Sequence, residues 1–164
     1  LPTLQYGYFP SFLEYPGSIS LQHDTFKNII IDICDSFNGY GIRKFYILNT
    51  GVSTLRPLKD AAQELLKKDI VLHYFNILET DKKFSKTFLQ QEGGTHADET
   101  ETSIMLHISP DSVNMGKAVK DYDNRPNRKG LTRDKENLYG VYSPTGTWGD
   151  PTLATEEKGK ILTE

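Results

Sequence analysis

The strongest constraint on the fold is an alternation of helical and strand-like apolar patterns over residues 24–77. Residues 24–37 and 55–66 place apolar side chains at the three- and four-residue spacing of an amphipathic helix. Each is followed by a short β-branched and aromatic segment, 43–49 and 70–77, which predicts a strand. Helices that alternate with strands in this way are typical of βαβ units. The pattern predicts an α/β fold with a mainly parallel sheet, and such strands are buried on both faces.

The rest of the chain predicts loops and two shorter helices. Residues 1–20 combine prolines with aromatic residues, which predicts an ordered loop region with at most one short strand. Residues 97–108 predict a helix, and residues 142–162 predict a Gly/Pro loop that leads into a final short helix. Polar and charged residues in 79–95 and 121–138 predict connections at the surface. The chain has neither an internal repeat nor a low-complexity tract, and its length of 164 residues predicts a single domain over residues 1–164.

Composition narrows the function classes. The chain has 19 basic and 22 acidic residues, a net charge of −3, and this weakly acidic balance argues against a nucleic-acid or membrane-surface partner. The longest apolar stretch, 29–33, is interrupted by Asp32 and is too short to span a membrane. No signal peptide is visible, and we expect a cytoplasmic protein. The single cysteine, Cys34, excludes a disulfide within this chain and is expected to be a buried thiol.

Three of the four histidines have simple structural interpretations. His73 and His107 lie within a predicted strand and a predicted helix, and we expect both to be packed or hydrogen-bonded. His23 precedes Asp24 at a predicted helix start, where Asp24 is expected to act as the N-cap. The chain has no glycine-rich phosphate-binding motif and no GxSxG nucleophile motif.

The segment EGGTHADETETSIML, residues 92–106, is the best candidate for chemistry. Its two glycines lead to His96, which directly precedes a helix that carries Glu99 and Glu101. An imidazole and a carboxylate can form part of a divalent metal site or a general acid–base pair. Acidic residues at a helix start also stabilise the helix dipole, so a purely structural interpretation stays open.

This segment and three others resemble the creatininase (creatinine amidohydrolase) family. HADETETSIMLHISPDSV resembles the family's HAGxxETSxML stretch, and YPGSISL is similar to its PGTxSL block. GIRKFYILN is similar to its GFRxxxxxN strand, and GTWGDPTLATEEKGKIL is similar to its GxxGDPxxATxEKG close. The four blocks occur in the family's order and span nearly the whole chain.

The resemblance implies a three-layer α/β sandwich with a mainly parallel central sheet, assembled as a homohexamer. It also implies a hydrolase that uses a divalent metal, zinc or manganese, to open a C–N bond of a cyclic amide or related small molecule. By position, His96 matches the catalytic histidine, and Glu101 matches a carboxylate that binds metal or transfers protons. Trp148 and Glu99 are expected to line the substrate pocket.

Two departures from the family pattern concern the metal ligands. Nothing in the chain resembles the family's upstream ExHGxHxPxxxD segment. His23 lies after the PGTxSL-like block, whereas that segment precedes the block, so His23 cannot replace a histidine of the segment. The family's NGHGGN turn is replaced by residues 49–54, so Thr50 or Gly51 stands where the ligand histidine belongs. We expect the chain to lack upstream and C-terminal segments of the family.

Three functional interpretations stay open at this point. The first is a metal-dependent amidohydrolase with an altered ligand set, and enzymatic activity is the favoured expectation. The second is a family member with a degenerate metal site that acts as a non-catalytic binding or assembly protein. The third is a metal-free α/β enzyme in which His96 acts as a general base.

Overall fold

A computed structural model describes residues 1, 3–76, 88–122, 130–137 and 140–164 of the chain. The chain divides into two compact units. The first unit comprises Leu1–Leu13 and Gly17–Asp81, and the second comprises Glu14–Pro16 and Lys82–Glu164. The expectation of a single domain over residues 1–164 stays a prediction.

The first unit contains the predicted succession of helices and strands. Its elements are α1 (His23–Asn38), β1 (Lys44–Ile47), α2 (Leu55–Leu66) and β2 (Val71–Tyr74). β1 and β2 are parallel, with Lys44 opposite Val71 and Ile47 opposite Tyr74. This order confirms an α/β fold. Both strands are shorter than predicted, and residue 77 of the second predicted strand lies outside the described residues. In the predicted N-terminal loop, residues 10–12 form a 3-10 turn.

The core of the first unit lies between the two helices and one face of the strand pair. Leu58, Ala61 and Leu65 of α2 are fully buried, and so is Ile70. α1 contributes a matching apolar stripe, formed by Phe26, Ile30, Ile31 and Cys34. Partly buried side chains of the two strands pack against this core; they are Phe45, Ile47 and Tyr74. Cys34 is therefore the buried thiol that the sequence predicts.

The prediction that both faces of the strands are buried is wrong for β1. Tyr46 is 65% exposed, and Leu48, just after the strand, is 73% exposed. Successive side chains of a strand point to opposite faces, and α1 and α2 cover only the face that carries Phe45 and Ile47. His73 of β2 is also exposed, which contradicts packing, one of its two expected roles; the expected hydrogen bond stays a prediction.

The predicted N-cap role of Asp24 is also wrong. α1 begins one residue earlier, at His23, and Gln22 at the cap position makes no side-chain cap hydrogen bond. Instead, the Asp24 carboxylate lies 2.9 Å from His23 Nδ1, and this contact lowers the pKa of Asp24. His23 Nε2 lies 3.1 Å from the carboxylate of Asp60 in α2. His23 thus connects the two helices.

The second unit contains two helices and a short strand pair. They are α3 (Glu99–Ile108), α4 (Glu156–Thr163), β3 (Leu131–Thr132) and β4 (Val141–Tyr142), and the two strands are parallel. Leu131 and Thr132 are buried, so the predicted surface loop is wrong at β3. Residues 79–87, 123–129 and 138 of the predicted connections lie outside the described residues.

α3 and α4 cross closely at a glycine. A Cβ atom on Gly159 would lie 1.9 Å from the backbone oxygen of Ser103. The Ser103 hydroxyl donates to the Glu99 carbonyl at 2.6 Å and accepts from the Thr155 amide at 3.2 Å. These contacts fix the start of α4 against α3. In the part of the chain that the structure describes, no helix has the length and apolar character needed to cross a membrane.

Candidate active site

A pair of glycines, Gly93 and Gly94, brings the chain to His96. Gly94 has a φ of +116°, and a Cβ atom at this position would lie 2.2 Å from the Trp148 carbonyl oxygen. A Cβ atom on Gly93 would lie 2.2 Å from the Tyr122 hydroxyl. Only glycine allows such a close backbone approach at a positive φ without strain. The two glycines therefore allow the His96 segment to lie directly against the Trp148 segment.

The two segments are joined by an antiparallel β-bridge between His96 and Trp148. The Trp148 amide donates to the His96 carbonyl at 2.8 Å, and the Trp148 carbonyl accepts from the amides of His96 and Thr95 at 3.2 and 2.9 Å. On the other side, Gly149 forms a second bridge with Asp121, with N···O distances of 2.9 and 3.0 Å. The backbone thus fixes His96 next to Trp148.

His96 and Glu101 lie on opposite sides of a tight turn into α3. Ala97 has a φ of +48°, which is unfavourable for a residue with a Cβ atom, and this explains why α3 begins at Glu99 and not at Ala97. The Ala97 amide donates to Glu101 Oε2 at 2.6 Å. The same oxygen lies 3.7 Å from His96 Nδ1. The structure therefore brings together the two residues predicted to be catalytic.

The environment of His96 favours the neutral imidazole. Burial lowers the pKa of His96 below its ordinary value of 6.5, and the negative charge of Asp98 opposes this shift. The imidazole and the Glu101 carboxylate are still 38% and 43% exposed. A neutral, partly accessible imidazole next to a carboxylate can accept a proton, which is what general-base chemistry requires.

Asp98 caps α3. Its side chain accepts from the Glu101 amide at 2.9 Å, and its carboxylate is almost completely buried. The first turn of the helix also carries Glu99 and Glu101, so three acidic residues surround the positive end of the helix dipole. The cap determines where the Glu101 side chain leaves the helix.

A family model matches the whole chain. The model of the creatininase family, described as creatinine amidohydrolase, matches residues 1–164. The chain belongs to the creatininase family. This confirms the resemblance of the four sequence blocks.

Two curated relatives are similar to the chain. The mycofactocin precursor peptide peptidase of Mycobacterium ulcerans (strain Agy99) is 24% identical over 161 residues, which are 98% of this chain and 59% of the relative. The protein of the same name in Mycolicibacterium smegmatis is 36% identical over 71 residues, 43% of this chain and 28% of the relative. The chain thus spans 59% of the length of the first of these relatives.

Solved creatininase structures share the fold. A tryptophan-to-alanine mutant of creatininase has a TM-score of 0.78 at 20% identity, and a structure named creatininase Mn has 0.74 at 21%. Each match covers 98% of this chain and 68% of the other. A glutamate-to-glutamine mutant of creatininase, Zn-Zn type, has 0.69 at 22%, with the same coverage. At these identities, the likeness supports the fold alone.

Trp148 of this creatininase-family chain combines a fixed backbone with an unpaired side-chain donor. Its ring stacks on Tyr122, with ring centroids 6.4 Å apart and an interplanar angle of 24°. Its Nε1 atom is buried and has no hydrogen-bond partner in the described structure. An unpaired buried N–H costs about 1–3 kcal/mol. The predicted role of Trp148 at the substrate pocket stays a prediction.

Glu99 is in a different position from the other site residues, because its side chain is completely buried. One carboxylate oxygen accepts from the amides of Gln90 and Gln91 at 2.8 and 2.7 Å. The other accepts from Lys158 Nζ, which also donates to the Leu153 carbonyl at 2.7 Å. These contacts are all with the chain itself and give Glu99 a structural function. The predicted pocket role of Glu99 stays a prediction.

The turn that replaces the family's histidine turn lies in the first unit and is closed by its own hydrogen bonds. Asn49 Nδ2 donates to the Gly51 carbonyl at 2.8 Å, and the Thr54 hydroxyl lies within hydrogen-bond distance of both Asn49 Oδ1 and the Gly51 carbonyl. A Cβ atom on Gly51 would lie 3.0 Å from the Phe9 ring. The space for a side chain at position 51 is therefore largely taken by Phe9.

The described residues do not form a divalent metal site. Among them, no group of three or more histidine, cysteine, aspartate or glutamate residues lies close enough to hold a metal ion. His96 and Glu101 supply one nitrogen and one carboxylate, whereas a catalytic zinc site usually has three protein ligands. The geometry of these residues fits acid–base chemistry better than it fits metal binding.

Two residues that organise this site, Gln91 and Asp121, belong to no motif in the sequence. The Asp121 carboxylate accepts from the Ser143 and Thr145 hydroxyls and so shapes the loop before Trp148. The Gln91 carboxamide contacts three separate backbone or side-chain groups. Both residues act across long sequence separations, and a local pattern carries no signal of such contacts.

Proposed function

We propose that this chain carries the proton-transfer residues of a hydrolase that cleaves an amide C–N bond. The observation that supports this proposal best is the His96 imidazole, whose pKa is lowered by burial, 3.7 Å from the Glu101 carboxylate at the start of α3. His96 accepts a proton from the attacking water, whose oxygen bonds to the amide carbonyl carbon. The C–N bond then breaks, and the proton passes to the leaving nitrogen. Glu101 orients the imidazole and stabilises its protonated form.

The proposed substrate is a cyclic amide or a related small molecule. Family membership supports this class, because the family model is that of creatinine amidohydrolase. The names of the two mycobacterial relatives add peptides to the substrates to be tested. Trp148, beside His96, is proposed to contact the substrate, and Glu99 to support the start of α3 from its buried side.

Zinc or manganese is the cofactor that the family resemblance implies, with Glu101 as the proposed ligand. The described residues do not fit such a site, since they provide a single imidazole and a single carboxylate at this place. The Glu101 carboxylate also already accepts from the Ala97 amide. The proposed reaction therefore contains no step through a metal.

Amide hydrolysis by the protein that carries this chain tests the proposal. Creatinine, other lactams and short peptides are incubated with the wild type, with His96→Gln and with Glu101→Gln. We expect turnover of at least one substrate by the wild type and a loss of about 100-fold or more in both variants. Glu92→Gln is the matched control, because Glu92 is exposed and pairs only with Lys120 in the described structure. An inactive wild type, or a fully active His96→Gln, would contradict the proposal.

A second candidate function is non-catalytic binding or assembly, and the closed turn at residues 49–54 favours it. The hydrogen bonds of Asn49 and Thr54 and the Phe9 ring occupy the place of the family's histidine turn. Elemental mass spectrometry on protein purified without chelator separates the candidates further. About one or two zinc or manganese ions per chain, reduced in Glu101→Gln, would contradict the non-catalytic function and show that ligands outside the described residues complete a metal site with Glu101. A metal-free wild type without turnover would support the non-catalytic function.

The proposal extends to the architecture and assembly that the family resemblance implies. We propose a three-layer sandwich around a mainly parallel central sheet, a homohexamer and a cytoplasmic location. The exposed Tyr46 and Leu48 on the open face of the β1–β2 pair are consistent with further layers or subunits. Sedimentation analysis tests the assembly, and a monomer at working concentration would contradict it.

A further inference from the structure

The side chain of Gln91 joins three parts of the second unit. Its Oε1 atom accepts from the Glu99 amide at 3.1 Å and from the Asp150 amide at 3.2 Å. Its Nε2 atom donates to the Asp98 carboxylate at 2.7 Å. One carboxamide thus connects the start of α3 with the segment that follows Trp148.

The chemistry of these partners fixes the orientation of the carboxamide. Backbone amides can only donate, and an ionised carboxylate can only accept. The oxygen of Gln91 must therefore face Glu99 and Asp150, and its nitrogen must face Asp98. Glutamine alone has this combination of acceptor and donor at this length. Glutamate lacks the donor, and leucine lacks both.

The parts that Gln91 connects are those that carry His96 and Trp148. Asp98 is the cap that accepts from the Glu101 amide, and Asp150 follows Trp148 by two residues. Gly149 lies close beneath the carboxamide, because a Cβ atom there would be 2.9 Å from Gln91 Oε1 and 2.4 Å from the Asp98 Cβ. The strained Ala97 lies between His96 and Asp98. Strained backbone persists only where surrounding contacts hold it.

We infer that Gln91 is a positioning residue for the His96–Glu101 pair and for Trp148. Its Oε1 atom holds the amides of Glu99 and Asp150. Its Nε2 atom holds the Asp98 carboxylate, which in turn accepts from the Glu101 amide. The catalytic part of this inference rests on the proposed amide hydrolysis. The positioning part rests only on the contacts of the carboxamide.

Amide hydrogen exchange tests the positioning part with Gln91→Leu and Gln91→Glu. In Gln91→Leu we expect exchange at the Glu99, Glu101 and Asp150 amides to rise about 10-fold or more, with α1 unchanged. Gln91→Glu keeps the acceptor oxygen and is expected to preserve protection at Glu99 and Asp150 but to lose it at Glu101. This variant also serves where Gln91→Leu does not fold. Since Trp148 is the only tryptophan, its fluorescence gives a second readout, with a red shift in Gln91→Leu.

Gln90→Leu is the matched control, because the Gln90 side chain is exposed and accepts only from Lys158 in the described structure. It is expected to leave exchange and fluorescence at their wild-type values. Wild-type exchange in Gln91→Leu, equal effects of the control, or identical exchange patterns in the two Gln91 variants would overturn the inference.

Kinetics test the catalytic part. For the amide that the wild type hydrolyses, Gln91→Leu is expected to lower kcat by about 10–100-fold while KM changes little, because the reacting groups lose their alignment. An unchanged kcat would overturn this part. If the wild type hydrolyses no amide, the proposed function fails, while the exchange experiment still decides whether Gln91 positions the pair.

Discussion

The backbone of Trp148 is hydrogen-bonded to the backbone of His96, with the Trp148 amide 2.8 Å from the His96 carbonyl. The indole and the imidazole, which lie far apart in the sequence, are therefore presented by two adjacent segments joined by an antiparallel β-bridge. Residues directly opposite each other in an antiparallel pair have Cβ atoms about 4.5–5.5 Å apart. The site depends on this bridge, and the bridge depends on Gly94.

Gly94→Ala is expected to destabilise the second unit strongly. The new Cβ atom would lie 2.2 Å from the Trp148 carbonyl oxygen at a φ of +116°. Strain of this kind with a backbone clash should cost about 3 kcal/mol or more in the free energy of unfolding, measured by denaturant titration. Gly41→Ala is the control, since Gly41 has a φ of +83° with nothing within 4 Å of its Cβ position, and should cost about 1–2 kcal/mol. Equal losses would show that the close approach of the Trp148 carbonyl does not constrain position 94.

Lys158→Met is expected to leave a buried charge without a partner. Glu99 is completely buried, and the Lys158 side chain is 15% exposed. Removal of one partner of such a pair typically costs about 3–5 kcal/mol in the free energy of unfolding. Lys160→Met removes an exposed lysine two residues further along the same helix and should stay within about 0.5 kcal/mol of the wild type. The double variant Lys158→Met/Glu99→Gln should recover part of the loss; no recovery would contradict this explanation.

Thr54→Val tests the closed turn of the first unit. Valine keeps the shape of threonine but loses the hydroxyl that contacts Asn49 and Gly51, and both Asn49 and Thr54 are buried. Loss of this hydrogen bonding should lower the free energy of unfolding by about 1–3 kcal/mol. Thr50→Val makes the same change at an exposed position of the same turn and should have little effect. If both variants behave alike, the turn is not held by Thr54.

Cys34 should be unreactive in the folded protein at neutral pH. Burial, with a smaller contribution from the charge of Asp35, raises the pKa of the Cys34 thiol from its ordinary 9.0 to about 11. The thiolate is the reactive form, so native protein should react with a disulfide reagent far more slowly than protein in urea. Because the unfolded thiol ionises first, the free energy of unfolding should fall as pH rises from about 9 to about 11.

Cys34→Ala provides the control for the pH dependence of the free energy of unfolding. The variant should lose the part of the pH slope that comes from the thiol, although it should also be less stable at every pH because a buried side chain is shortened. An identical slope in wild type and variant, or rapid thiol modification in the native state, would contradict the buried position of Cys34.

The sequence predicted the local features of the fold well. The periods of α1 and α2 placed both helices within about two residues of their observed bounds, because one-sided burial against a core imposes that period. The pairing of His96 with Glu101 was also predictable, since both belong to one short segment at a helix start. Asp24 was assigned wrongly because aspartate is favourable both at the N-cap and in the first turn of a helix. The sequence pattern therefore locates the start of the helix only to within one or two residues.

Features that depend on distant parts of the chain were not predictable. Nothing in the local sequence around Gln91 indicates that its carboxamide reaches Asp150. The burial of Thr132 follows from its pairing with β4 and from a hydrogen bond to Glu14, at 2.8 Å, and both partners lie outside its own charged segment. The exposed face of β1 follows from which neighbours cover it, and a run of apolar residues does not reveal this.

The pH dependence of amide hydrolysis tests the central claim most directly. If His96 is the general base, kcat/KM should rise with pH as the imidazole loses its proton and become constant above that range. Since burial lowers the pKa of His96, the midpoint should lie below the ordinary 6.5. His96→Gln should lose both the activity and the rise of kcat/KM with pH. A wild-type midpoint at or above 6.5, or an unchanged profile in His96→Gln, would contradict the assignment of His96 as the base.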